Sequence, residues 1–179
     1  YCIIGGMPEI VANYVAHKDL LALPQTYESI WNTYKDDVIK YADSKSEENV
    51  MKHIVNTAAS FVDQRIKFQN FGHSNYKSRE VSKAFNNLDA AKVIQVIYPC
   101  TNVEPPILPD YKKSPRLQFL DTGILNFDLN IQADLLLMKD LSEAYKGAII
   151  PHIINQEVLS LNTKKKKKTY FWVRDKTQS

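Results

Sequence analysis

The sequence contains few cysteines, few glycines and no long hydrophobic run. Two cysteines among 179 residues are too few for a disulfide framework, and five glycines exclude a collagen-like repeat. With 44% hydrophobic and 24% charged residues, the composition is typical of a globular protein and excludes a disordered chain. No apolar run approaches the roughly 18 residues that a membrane-spanning helix needs, so we expect no membrane partner.

Both ends of the sequence carry information about its context. No secretory signal opens the chain, so we expect a reducing, cytoplasmic location in which Cys2 and Cys100 are buried thiols. The chain begins with an apolar run at 1–4 and closes with a strand-like run at 170–174 followed by five polar residues. We expect it to be a fragment of a longer protein.

Motifs of several enzyme classes are missing. None of the five glycines stands in the G-x-x-x-x-G-K-[ST] pattern of a P-loop. The four histidines show no metal-ligand spacing, and no serine lies in a G-x-S-x-G elbow. Asp36 and Asp37 are adjacent, and adjacent side chains on a helix do not face each other. We therefore expect no cofactor site and no catalytic site in these groups.

Apolar residues at spacings of three and four predict that most of the chain is helical. Pro8, which follows Gly5 and Gly6, suits the first position of a helix. Further helices are predicted from Ser46, from Ser78 as a cap, after residue 123 and over 144–161. The clearest pattern predicts a helix whose buried face consists of Tyr27, Ile30, Trp31, Tyr34, Val38 and Tyr41.

Two strand-like runs enclose a proline-rich segment. The β-branched run at 93–98 ends at Pro99, and 117–120 alternates like a second strand. Prolines 105, 106, 109 and 115 exclude regular structure between them, so this segment is a hairpin loop or a domain linker, and we favour the loop. Three helices followed by strand, loop and strand is the order of a winged helix. We predict a mainly α fold with minor β (α+β) that contains a winged helix-turn-helix.

A winged helix suggests duplex DNA as a partner, because the last helix of a helix-turn-helix enters the major groove. Some winged helices bind only proteins, and Glu80 and Asp89 dilute the positive charge of this helix. A protein partner therefore stays an alternative. The candidate nucleic-acid-binding residues are Lys77, Ser78, Arg79, Lys83, Asn86 and Asn87 on the helix, and Lys112, Lys113 and Arg116 at the wing.

Five consecutive lysines at 164–168 carry the excess positive charge of the chain. The formal net charge is +3, from 23 Lys and Arg against 20 Asp and Glu, and without these lysines 18 basic residues face 20 acidic ones. The run is a nucleic-acid contact, or it is a solvated loop between a helix and a strand. We favour the solvated loop.

Five motifs in order resemble the C-terminal region of prokaryotic AAA-type P-loop ATPases. In that family a domain of unknown function, with a winged-helix part and a restriction-endonuclease-like part, follows the ATPase core. The motifs are GGMPE at 5–9, YKDDVIKY at 34–41, FLDTGIL at 119–125, the segment 147–159, and YFW at 170–172.

The resemblance implies a division of the chain into three parts. Residues 1–45 would be a helical region that joins an absent ATPase core, 46–125 a winged-helix domain with a proline-rich wing, and 126–179 a truncated nuclease-like α/β segment. ATP and Mg would bind the absent core. The chain would then be a non-catalytic region that binds DNA or a partner protein.

Glu157 is the one candidate for a nuclease-like or metal-binding role. The family pattern G-x-x-x-E-x-x-x-x-x-E-L is matched at Gly147 and Glu157, whereas Pro151 and Val158 depart from it. Metal-dependent phosphodiester cleavage needs several carboxylates around one ion. We therefore predict that this chain is catalytically inert, with a remnant nuclease domain as an alternative.

Overall fold

Helices form most of the part of the chain that the computed structural model describes, which is residues 2–137, 149–161 and 168–174. Two single turns of 3-10 helix, Ala58–Phe61 and Phe71–His73, lie between the third and fourth helices. The fold is α+β, as predicted. The helices are α1 (Pro8–His17), α2 (Leu23–Ile39), α3 (Lys45–Thr57), α4 (Ser78–Ala90), α5 (Thr122–Asp128), α6 (Gln132–Leu137) and α7 (Ile149–Leu161); the strands are β1 (Ile94–Ile97), β2 (Pro99–Cys100), β3 (Arg116–Phe119) and β4 (Phe171–Trp172).

Local sequence and capping hydrogen bonds determine where the helices begin. Pro8 occupies the first position of α1, and the Ser44 hydroxyl accepts a hydrogen bond from the Glu47 N–H to cap α3. Ser78 was expected to cap α4 and is instead its first residue. The Glu80 carboxylate accepts from the Lys77 N–H there at 2.8 Å, so the cap lies one residue earlier.

The predicted buried face of α2 is confirmed except at its end. Tyr27, Trp31 and Val38 are buried. The helix stops at Ile39, so Tyr41 lies beyond it and is 67% exposed. The prediction of Tyr41 as a core residue is wrong, because the apolar spacing continues past the residue where the backbone leaves the helix.

The strands form two small sheets. β1 and β3 pair antiparallel from Ile94 opposite Phe119 to Ile97 opposite Arg116, so the proline-rich segment is a hairpin loop. The backbone near Val62 and Arg65 pairs with β3 as well. β2 and β4 pair in parallel. The predicted helix over 144–161 is described from residue 149, and 144–148 as well as 162–167 lie outside the described residues.

One hydrophobic core extends across the predicted boundaries at 45 and 125. The buried cluster contains residues of α1 to α6 and of the β1–β3 hairpin. The Tyr27 ring stacks on Phe127 at 5.4 Å, and the Trp31 indole N–H donates to Asp128 at 2.8 Å. The helix α2, which lies before residue 45, therefore packs directly on α5, which follows the hairpin.

The Asp121 carboxylate joins the start of the chain to the start of α5. It is 4% exposed and accepts from the Gly6 N–H at 2.7 Å and from the Ile124 N–H at 3.0 Å. A Cβ on Gly5, whose φ is +69°, would lie 2.1 Å from the Asp121 carboxylate, and one on Gly123 would lie 2.2 Å from the Ile4 carbonyl oxygen. Two of the five motifs thus meet at this junction.

We expect Asp121→Ala to lower the free energy of unfolding by about 2–4 kcal/mol, because it removes a helix cap and leaves the Gly6 N–H without its acceptor. Urea denaturation followed by circular dichroism measures the change. Asp19→Ala is the control, because Asp19 also accepts from a backbone N–H, that of Leu21, at an exposed position. Equal losses in the two variants would contradict the role of the junction.

A buried histidine holds α7 against β3. His152 is 0% exposed, and its Nε2 lies 3.1 Å from the Phe119 amide nitrogen and 3.0 Å from the Phe119 carbonyl oxygen. Burial lowers the pKa of His152 from 6.5 to about 4. The folded protein therefore holds the neutral imidazole, and protonation favours the unfolded chain.

We expect acid to weaken the fold through His152. Its contribution is constant above pH 6.5, where the ring is neutral in both states, and stability falls as the pH decreases from 6.5 to about 4. The full loss corresponds to about 3 kcal/mol. Urea denaturation across this pH range should show a shallower slope for His152→Gln than for the native chain. His17→Gln, at an exposed site on α1, should keep the native slope, and three identical slopes would contradict the prediction.

Candidate functional site

On the predicted DNA-binding face of α4, some side chains are exposed without an ion pair to a described residue, and others form hydrogen bonds or ion pairs within the protein. Lys77, Ser78 and Arg79 are exposed at the start of the helix, and Asn86 is exposed further along. The Ser78 N–H donates to the Gln69 side chain at 3.1 Å, which fixes the loop before α4 to its first turn. Lys77 and Arg79 form no ion pair with any described carboxylate.

Glu47 holds the middle of α4 against α3. Its carboxylate is 8% exposed and accepts from Lys83 Nζ at 2.8 Å, Asn87 Nδ2 at 2.9 Å and the Asp43 N–H at 3.0 Å. Asp43 also contacts Lys83 at 2.6 Å. The hydrogen bonds that Lys83 donates to Asp43 and Glu47 raise the pKa of Lys83. Lys83 and Asn87 are therefore engaged within the protein.

The three predicted wing residues have different surroundings. Lys112 is exposed, whereas Lys113 Nζ lies 3.3 Å from the Asp110 carboxylate. Arg116 lies at the base of the loop, in β3, where its Nη1 contacts both oxygens of Asp63 at 3.0 and 3.1 Å. Of the three, Lys112 alone is an open cation in the described part of the loop.

Asp63, Arg116 and Phe171 join the hairpin to β4. The Arg116 guanidinium lies 4.7 Å from the centre of the Phe171 ring, and that of Arg65 lies 5.6 Å from it. Burial raises the pKa of Asp63, although the nearby Arg116 opposes the shift. The Arg116 charge is thus shared between a carboxylate and an aromatic ring.

Glu157 is exposed on α7. Among the described residues, no group of three or more His, Cys, Asp or Glu side chains is placed to hold a metal ion. Glu157 therefore has no described carboxylate partners for the chemistry that the nuclease alternative requires. Catalytic inertness stays a prediction.

Sequence reasoning missed Glu47, Asp63 and Phe171 as partners of the candidate residues. Asp63 lies 53 positions from Arg116, and Glu47 lies 36 positions from Lys83. No local pattern signals such pairs. The one local signal is that Glu47 belongs to the acidic first turn of α3, which favours a carboxylate there whether or not it has a distant partner.

The described part of the chain is a mainly helical α+β fold. The chain belongs to the family described as "Domain of unknown function (DUF8612)", whose model matches residues 1–135. No curated protein and no solved structure matches the chain. The family description names no activity, so the link to AAA-type ATPases stays a prediction.

The described helices include none with both the length and the apolar character that crossing a membrane requires.

We expect Glu47→Ala to lower the free energy of unfolding by about 1–3 kcal/mol, because it leaves the half-buried Asn87 amide without its acceptor. Chemical denaturation measures the change. Glu48→Ala is a matched control, since Glu48 pairs with Lys45 and Lys52 on the exposed side of α3 and should cost much less. A larger loss for Glu48→Ala would contradict the assignment.

Proposed function

We propose that this chain is a non-catalytic binding region of a larger prokaryotic AAA-type ATPase, and that it contacts duplex DNA through a winged helix. The resemblance of the five motifs supports the parent protein. In this proposal ATP and Mg bind an ATPase core outside this chain. A cytoplasmic location is consistent with such a protein and is part of the same proposal.

The order of elements supports the winged helix. α3 is followed by a segment that pairs with β3 near Val62, then by the turn Phe71–His73, by α4 and by the β1–β3 hairpin. α3 packs against α4, and α4 leads into β1. In a helix-turn-helix arrangement α4 is the recognition helix, and its first residues would reach the base edges.

The observation that carries the DNA proposal is the pair of unpaired cations at the start of α4. Lys77 and Arg79 flank the Ser78 hydroxyl, and all three side chains are exposed. Arg and Lys supply phosphate contacts and Arg can read guanine in the major groove. Because Glu47 holds Lys83 and Asn87, the contact is proposed for the first turn of α4 rather than for its whole polar face.

We expect the native chain to bind mixed-sequence duplex DNA with an affinity that falls as salt rises. Each phosphate contact contributes about 0.9 to the slope of log affinity against log salt. Lys77→Ala/Arg79→Ala should therefore reduce the slope by up to about 2 and weaken binding at least about tenfold at moderate salt. Fluorescence anisotropy with a labelled duplex over 20 to 200 mM salt, about the range in which such contacts are lost, measures both quantities.

Lys40→Ala/Lys45→Ala removes the same charge from exposed sites that pair with Asp37 and Glu48. This control should retain the native slope. The DNA proposal fails when the native chain does not bind duplex DNA at the lowest salt, or when both double variants behave alike.

A protein-interaction scaffold is the second candidate, and the hairpin loop favours it. Val103 is 69% exposed, Leu108 72% and Tyr111 63%, so the loop presents three large side chains with apolar surface to solvent. In this alternative the loop docks on a protein partner and α4 serves as support. Absence of DNA binding at low salt would favour it over the first candidate.

A further inference from the structure

A cleft of about 590 Å³ lies between the β1–β3 hairpin, α7 and β4, away from the exposed start of α4. Sites for small ligands have volumes of roughly 300–1,000 Å³ and mostly apolar walls. Large exposed apolar side chains from three different elements line this cleft: Val103, Ile107, Ile154, Val158 and Trp172. The volume is sufficient for one or two nucleotides.

Trp172 offers a fixed aromatic face at the cleft. Its backbone lies opposite Cys100 in the β2–β4 pair, and its indole N–H donates to the Thr101 carbonyl oxygen at 3.2 Å. The side chain is nevertheless 56% exposed. An exposed aromatic ring whose edge is fixed by a hydrogen bond can stack on any of the nucleobases.

Three cations lie in the cleft wall or next to residues that form it. Lys168 lines the cleft, Arg174 is exposed two residues after Trp172, and Arg65 lies beside Phe171. None of these three forms an ion pair with a described carboxylate. Among the acidic residues nearby, Asp63 is engaged by Arg116, and Asp110 by Lys113. Glu104 in the loop and Glu157 on α7 are exposed, so three cations without ion pairs face two carboxylates among these described residues.

Gln118 is one of several polar residues in the cleft wall, together with Asn102, Asn155 and Thr169. It is 4% exposed and lines the cleft, and its Nε2 donates to the Pro151 carbonyl oxygen at 3.4 Å. Its Oε1 has no hydrogen-bond partner among the described residues. An unpaired buried acceptor is costly to the fold.

We propose that this cleft binds single-stranded nucleic acid, with one base stacked on Trp172 and the phosphates held by Lys168, Arg174 and Arg65. An apolar cleft with an aromatic face and a cationic rim has the chemistry of a stacking site for single strands. An acidic peptide is the competing occupant, and it has no counterpart for the open indole face. The proposal uses no residue of α4 and does not depend on duplex binding.

The test compares two labelled 12-mers on the full chain by fluorescence anisotropy: oligothymidylate and an abasic strand with the same phosphates. We expect oligothymidylate to bind at least about tenfold more tightly, because stacking contributes about 1–3 kcal/mol for each base. Trp172→Ala should weaken oligothymidylate binding about 5- to 100-fold and leave abasic binding unchanged. Trp172→Phe should retain most of the affinity.

Leu161→Ala is the matched control, because Leu161 is an exposed apolar residue of α7 that is not among the cleft-lining residues. Lys77→Ala/Arg79→Ala should also bind oligothymidylate like the native chain, which separates this site from the duplex proposal. Equal affinity for the two strands, or displacement of oligothymidylate by polyglutamate at equal charge concentration, would overturn the proposal. If Trp172→Ala loses its native circular dichroism, the test uses the native chain and Trp172→Phe instead. Both should bind oligothymidylate more tightly than the abasic strand, and equal affinity for the two strands would overturn the proposal.

Discussion

The buried Asp121 carboxylate is the contact on which the arrangement of the helices depends. It lies between β3 and α5, and it binds the Gly6 backbone 115 positions earlier in the chain. Gly5 and Gly123 leave no room for a Cβ at this junction. With the first residues held there, α2 packs on α5 through Tyr27 and Trp31, and α1 and α2 share one core with the hairpin. Two motifs of the family resemblance therefore have a structural reason that is independent of ATP.

Patterns within a segment were sufficient to predict most of the fold. The spacing of Tyr27, Trp31 and Val38 reports the buried side of α2, and the alternation at 117–120 reports β3. Ends of elements were less predictable. Tyr41 continues the apolar spacing of α2 beyond the last helical residue, and the cap of α4 is set by Glu80 and Gln69 rather than by Ser78. Such ends depend on hydrogen bonds that the apolar spacing does not encode.

The candidate site depends even more on contacts that the sequence pattern does not reveal, because its ion pairs join residues that are far apart in the chain. The sequence predicts that Lys83 and Arg116 lie on polar surfaces, and it cannot show that Glu47 and Asp63 reach them from other elements. Each pair forms only after the chain has folded. The pairing changes what each cation can do, because the carboxylate that a Lys or Arg already contacts offsets part of its attraction for a phosphate, and loss of that contact has a cost. Lys77 and Arg79 carry no such cost among the described residues.

The difference between paired and unpaired cations also bears on how a polyanion would bind in the two proposals. Apart from the lysines at 164–168, basic and acidic residues nearly balance, so long-range attraction by the whole molecule is weak. Under both proposals, recognition comes from the places where, within the described part of the chain, cations lack carboxylate partners and lie beside groups with a defined shape. The first turn of α4 combines such cations with a hydroxyl, and the β4 rim combines them with an indole face. The first arrangement suits the regular phosphates of a duplex, and the second suits the unstacked bases of a single strand, since a base can reach the Trp172 ring only after it has left its own stack.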